Sequence, residues 1–172
     1  MTKEQLKKLL ESTADTTEKL FKKDGSVSPV LFIYHIVENK DGREAESCAI
    51  VPITSMDRRE AILFAMGRAF LKNASFKRVD AIALVSEAWM SVQDSKSGPA
   101  KHILPSQDPK RKEIINITGM TDSRESAMLI FDIDKKDRKM EKNEKASNMS
   151  RIENRLLDRF WQGMGMVVSR TS

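Results

Sequence analysis

The sequence predicts an α+β domain, a mainly antiparallel sheet of five strands with helices packed on it, in the order α-β-β-α-β-β-β-α. Three observations predict it. Residues 78–92, RVDAIALVSEAWMSV, place apolar side chains on both faces of an alternating run, as in a strand covered on two sides. Turns of hairpin length separate other runs of the same period, which favours antiparallel neighbours. Segments of helical spacing stand near both ends and between the second and third strands.

Taken in order, residues 2–23 form the first helix. Leu6, Leu9, Leu10, Thr13, Thr17, Leu20 and Phe21 recur at helical spacing. The Thr-rich middle, STADTT, weakens helix propensity and invites a break. Asp24-Gly25 is a stop signal. Residues 29–38, PVLFIYHIVE, are a strand of β-branched and aromatic residues. The Asp41-Gly42 turn returns the chain into a second strand, residues 44–53, whose Pro52 suits a strand end or a sheet edge. Asp57 and Glu60 make a capping signature for a helix over 58–73, lined by Ile62, Met66, Ala69 and Phe70 and widened by Leu63 and Phe64. Ala65 and Gly67 are small enough for close approach to a sheet.

In the central strand, Ile82, Leu84, Ala88, Met90 and Val92 share one face. Val79, Ala81, Ala83, Val85, Glu87 and Trp89 share the other. Glu87 is the misfit, since a carboxylate there must find a cation, water or a raised pKa. Residues 93–112 follow as a long irregular connection punctuated by Gly98, Pro99, Pro105 and Pro109, of a length that marks function or disorder. Residues 113–120 and 126–134 complete the five strands. Residues 135–145, KKDRKMEKNEK, hold six cations and three anions and read as a solvated helix or linker. Residues 147–164 are an amphipathic helix with Met149, Ile152, Leu156, Leu157, Phe160 and Trp161 in its stripe. The domain is therefore expected over 1–134, a charged linker or helix extension over 135–146, and a terminal helix and tail over 147–172.

Composition excludes several classes. The chain has 172 residues and a net charge of +5, with 30 basic residues set against 25 acidic ones, too balanced for an overwhelming phosphate-binding field. Its single cysteine, Cys48, rules out an internal disulfide and a cysteine-based zinc site. The first residues lack the apolar core of a signal peptide, and no apolar run approaches a membrane span, so a cytoplasmic protein is expected.

The strings SEAWMSV, PSQDPKRKEIINITG and AMLIFDID resemble small α+β proteins of microbial genomes and mobile elements, a family that brings no known activity with it. The resemblance covers residues 81–134. It implies one constellation of Glu87, Trp89, Pro105, Ser106, Asp108, Pro109, Arg111 and Glu113. From the residues themselves, Arg111 is expected to pair with Glu87 and hold the loop against Trp89.

Other chemistry is thinly supplied. Ser106, His102 and Asp108 are the residue types of a nucleophilic triad, crowded onto one loop without the usual elbow. Glu87, Asp108, Asp132 and Asp134, with His35 or His102, would be the oxygen-rich set for a divalent metal, but Asp132 and Asp134 beside Lys135 and Lys136 read more simply as a solvated face. No phosphate-cradling glycine loop is present. His35, alone in an apolar strand, fits a core better than a ligand set. No cofactor and no catalytic residue are therefore assigned. The expected function is binding without catalysis, through contacts with another protein at Glu87, Trp89, Ser106, Asp108, Arg111 and Glu113, with self-association through residues 147–164. Nucleic-acid binding through Lys110, Arg111, Lys112, Lys135, Lys136, Arg138 and Lys139 is the alternative, and a metal-dependent hydrolase ranks below both.

Overall fold

A computed structural model describes residues 1–39, 41–55, 58–73, 76–91, 107–147 and 155–165 of the chain. One antiparallel sheet organises them. Its strands are β1 (Val30–Glu38), β2 (Glu44–Pro52), β3 (Phe76–Met90), β4 (Lys112–Thr121), β5 (Ser126–Asp134) and β6 (Lys139–Lys142). They lie in the order β2-β1-β3-β4-β5-β6, and the sheet curls into a half-barrel. It has six strands where five were expected. The sixth comes from the charged stretch that reads as a linker. The chain turns at residues 135–138 and returns beside β5, pairing Ile133 with Met140 and Asp134 with Lys139. A four-residue edge strand needs little apolar surface, so its charges conceal it.

Helix α1 (Lys3–Asp24) covers one face. Thr2 caps it in a reciprocal box with Gln5, and Gly25, at φ 73°, closes it. No break occurs at the Thr-rich middle. Thr13 and Thr17 are buried there and return their hydroxyls to the carbonyls of Leu9 and Thr13, both at 2.8 Å. Leu6, Leu10, Ala14 and Phe21 meet Phe32, Ala81, Ala83, Val85, Ile115, Ile117 and Leu129 from the sheet. Thr13 also lies 2.6 Å from the Tyr34 hydroxyl, and burial pushes the Tyr34 phenol up to about 12.

The other face is covered by α2 (Arg59–Lys72) and α4 (Arg155–Gly163), with the single turn α3 (Glu144–Ser147) beside β5. Leu63 of α2 and Leu157, Phe160 and Trp161 of α4 pack on Leu31, Ile33, Ile82 and Met120. Arg58, at the N-cap of α2, makes no side-chain cap bond; Asp57, expected to cap, lies outside the described residues. The stripe of α2 turns about Leu63 and Gly67, both buried, and leaves Ala69 exposed. Val79 also departs from expectation. Tyr34 pairs with Ala81 but His35 with Val79, so a bulge at Asp80 turns Val79 into this second core.

Leu157, Phe160 and Trp161 are fully buried. Burial of such side chains contributes about 1.5–3 kcal/mol each. The apolar stripe expected to serve a second copy therefore closes the chain's own core over the described part of 147–164. No described helix is long and apolar enough to cross a membrane.

Helices α2 and α4 touch backbone to backbone. A Cβ built on Gly67 would lie 2.1 Å from the Phe160 carbonyl oxygen, and one on Gly163 would lie 2.1 Å from that of Phe64. Gly67 thus serves a helix crossing, where close approach to a sheet was expected. Gly67→Ala will lower stability by about 1–3 kcal/mol despite alanine's better helix propensity, read as a reduced urea midpoint. A midpoint equal to or above wild type would show that the helices do not meet this closely.

Tyr34 yields a second prediction. It is the chain's single tyrosine, so phenolate absorption titrates it alone. Between about 10 and 12 the unfolded chain surrenders a proton that the native chain keeps. Native stability will therefore be intact below pH about 10 and decline as pH rises toward 12. Tyr34→Phe will remove that share of the decline.

Candidate functional site

The last residues of β3, the first of β4 and the turn between β5 and β6 meet on the face that α1 covers, just past the end of that helix. Alternation along β3 carries Ala81, Ala83 and Val85 beneath α1 and then sets Glu87 and Trp89 on the same face beyond it. The antiparallel register places Glu113 of β4 directly opposite Trp89. Lys135 follows β5. Together Glu87, Ala88, Trp89, Glu113 and Lys135 line a cleft of about 340 Å³.

Its charges are tied together. The Lys135 ammonium lies 3.2 Å from Glu87 Oε2 and 3.3 Å from Glu113 Oε1. The hydrogen bond to Glu87 raises the Lys135 pKa, so the ammonium stays protonated. Glu87 Oε1 accepts the Val27 N–H at 2.6 Å. Both oxygens of Glu87 are thus engaged, one by the chain leaving α1 and one by the turn after β5. Trp89 is 44% exposed and its indole N–H points to Glu113 Oε1 at 3.5 Å. The Arg111 guanidinium lies over the Trp89 ring, 4.4 Å from its centroid.

Arg111 therefore reaches the loop's aromatic neighbour and not Glu87, whose cation is Lys135. The expected pair fails because Lys135 fills the gap between the two carboxylates from a turn that sequence spacing alone does not place there. Its signal was present in part, since Lys135 continues the parity of Phe131 and Ile133 toward this face.

Asp108 pins the returning loop. It accepts the Ser91 hydroxyl on Oδ2 and the Lys110 N–H at 2.8 Å on Oδ1, and the Arg111 N–H reaches its carbonyl at 3.1 Å. The Ser91 hydroxyl, then the Lys110 N–H, hold its carboxyl below the usual carboxylate range. Pro105, Ser106 and His102 lie outside the described residues. Glu87, Trp89, Glu113 and Arg111 lie near one another, and Asp108 reaches Ser91 at the end of β3.

The basic residues converge on this same end of the sheet, with much of their charge engaged. Lys112 meets Asp132 at 3.2 Å. Arg138 donates to the Lys22 and Lys23 carbonyls at the end of α1, at 2.9 and 2.7 Å. Lys110, Lys136 and Lys139 are exposed. Asp134 accepts the Lys136 and Asp137 N–H groups and so shapes the turn. His35 sits in the second core, packed against Phe70 and Phe76, with Nδ1 3.0 Å from the Ile33 carbonyl. Among the described residues no three His, Cys, Asp or Glu side chains gather as a metal would need.

No family model, curated protein or solved structure matches the chain.

Arg111→Ala supplies a prediction here. A guanidinium on an exposed ring contributes about 0.5–1 kcal/mol, whereas breaking a buried ion pair costs roughly 3–5 kcal/mol. Denaturant melts of Arg111→Ala will show a loss below that of a broken buried pair. A loss above 3 kcal/mol would reinstate the expected pair with Glu87.

Proposed function

We propose that the chain is a binding protein without catalytic activity, which captures a protein partner at the Trp89 cleft. The observation that supports this most is Trp89 itself, a large aromatic side chain 44% exposed within a concave site and framed by an arginine and paired charges. Buried tryptophan and arginine at the centre of a charged rim are the side chains that dominate protein interfaces. The lining offers Glu, Ala, Trp and Lys side chains, suited to recognition. The partner presents an aliphatic or planar side chain to the indole and a hydrogen-bond donor or cation to Glu87 or Glu113. Lys135 gives way at small cost, because partly exposed ion pairs contribute roughly 0–1 kcal/mol.

Convergence of the 110–112 and 135–139 cations on one end of the sheet favours a second reading, binding to a nucleic-acid backbone. The two differ in salt response, since phosphate contacts weaken steeply with ionic strength.

Affinity capture with the immobilised chain, run in parallel with Trp89→Ala, tests both. A protein retained by wild type and lost from Trp89→Ala, at an affinity reduced at least about 30-fold, is expected from a hot-spot loss of about 2 kcal/mol. Equal capture by Trp89→Ala would overturn the cleft as the docking site. Retention of nucleic acid that falls by orders of magnitude with salt, and is insensitive to Trp89→Ala, would establish the second reading.

A further inference from the structure

We propose that the chain forms a two-fold dimer by pairing β2 with the β2 of a second copy, so that two six-stranded sheets become one. The two edges of the sheet are built differently. The β6 edge is four residues long, bounded by Lys139 and Lys142, and Lys142 is engaged with Glu11 and Glu144. Short, lysine-bearing strands are how proteins blunt an edge.

The β2 edge is longer and less guarded, with Glu44 and Glu46 toward one end and Pro52 at the other. It runs nine residues in unbroken register with β1 and holds no lysine. Its side chains are largely exposed, Ile50 by 56%. Backbone geometry settles which groups face outward. Ile53 donates to the Pro29 carbonyl at 2.9 Å, and the register pairs Val30 with Pro52. Alternation then turns the N–H and C=O groups of Glu44, Glu46, Cys48 and Ile50 away from β1. Pro52 falls in the same outward set, so its missing N–H takes nothing from the β1 ladder.

The charge pattern selects a second copy in antiparallel register. Centred on Cys48, the pairing sets Glu46 opposite Ile50, Glu44 opposite Pro52, Ser47 opposite Ala49 and Ala45 opposite Val51. Every opposed pair is free of like charges. A parallel arrangement would stack Glu44 on Glu44 and Glu46 on Glu46, which is unfavourable. Outward groups of one copy then meet outward groups of the other in a self-complementary ladder, as a two-fold interface requires. The surface is distinct from the Trp89 cleft and does not rest on it.

The test is the solution mass of the full chain from about 1 μM to 1 mM, the span from moderate to weak association, for wild type, Ile50→Glu and Cys48→Pro. Ile50→Glu sets a carboxylate at an exposed position directly opposite Glu46 of the second copy, a like-charge pair, and Cys48→Pro removes one outward donor without touching the β1 ladder. Wild type is expected at twice 19.5 kDa and Ile50→Glu at the single mass with an unchanged thermal melt. Cys48→Pro is expected to follow Ile50→Glu. Cys48 is the single thiol, so a short bis-maleimide will join two chains only through it. Cross-linking is expected in wild type and at least tenfold weaker in Ile50→Glu. A wild-type monomer throughout, or a dimer that survives Ile50→Glu with equal cross-linking, would overturn the proposal.

Discussion

Burial of β3 on both faces is the constraint from which the rest of the molecule follows. Its middle residues sit in two cores at once, Ala81, Ala83 and Val85 against α1 and Ile82 against α2 and α4. A strand so placed needs a neighbour on each side and a cover on each face, which β1, β4 and the helices supply. The strand also outruns its cover. Fifteen residues of strand extend roughly 50 Å, while a helix of twenty-two reaches about 33 Å. The uncovered end is where Glu87 and Trp89 emerge, so the cleft is a geometric remainder of the core.

That remainder is organised by charge. Lys135 bridges Glu87 and Glu113, Val27 fixes the other oxygen of Glu87, and Asp108 anchors the returning loop. Exposed interactions of this kind contribute little individually. They orient side chains without locking them. Arg138 completes the assembly from the far side, since its guanidinium holds the last carbonyls of α1.

Elements that bury apolar side chains at a clear period were legible in the sequence. The five long strands, α1 and its glycine stop, and α2 declare themselves through alternation, spacing and punctuation. Glu87 stood out in the sequence because a carboxylate breaks an apolar face, whereas Trp89 read more simply as a core side chain and is 44% exposed. What sequence could not convey was long-range pairing. Strand β6 carries one apolar residue, Met140, among charges, so only its ladder with β5 identifies it. The stripe of α4 read as a surface for a second copy, and the burial of Leu157, Phe160 and Trp161 against the sheet and α2 places its described part in the core. Lys135 was assigned to solvent because nothing local announces that Glu87 and Glu113 converge on it.

The late position of α4 has a consequence for how the protein is made. The buried members of the α1 core have all emerged once β5 has left the ribosome, since they extend from Leu6 to Phe131. The opposite core waits for Leu157, Phe160 and Trp161. Until α4 emerges, a nascent chain that has formed the sheet has only α2 to cover that apolar face. Ribosome stalling or premature termination before α4 would leave that half-clothed sheet as the end product, a natural client for chaperones and proteases.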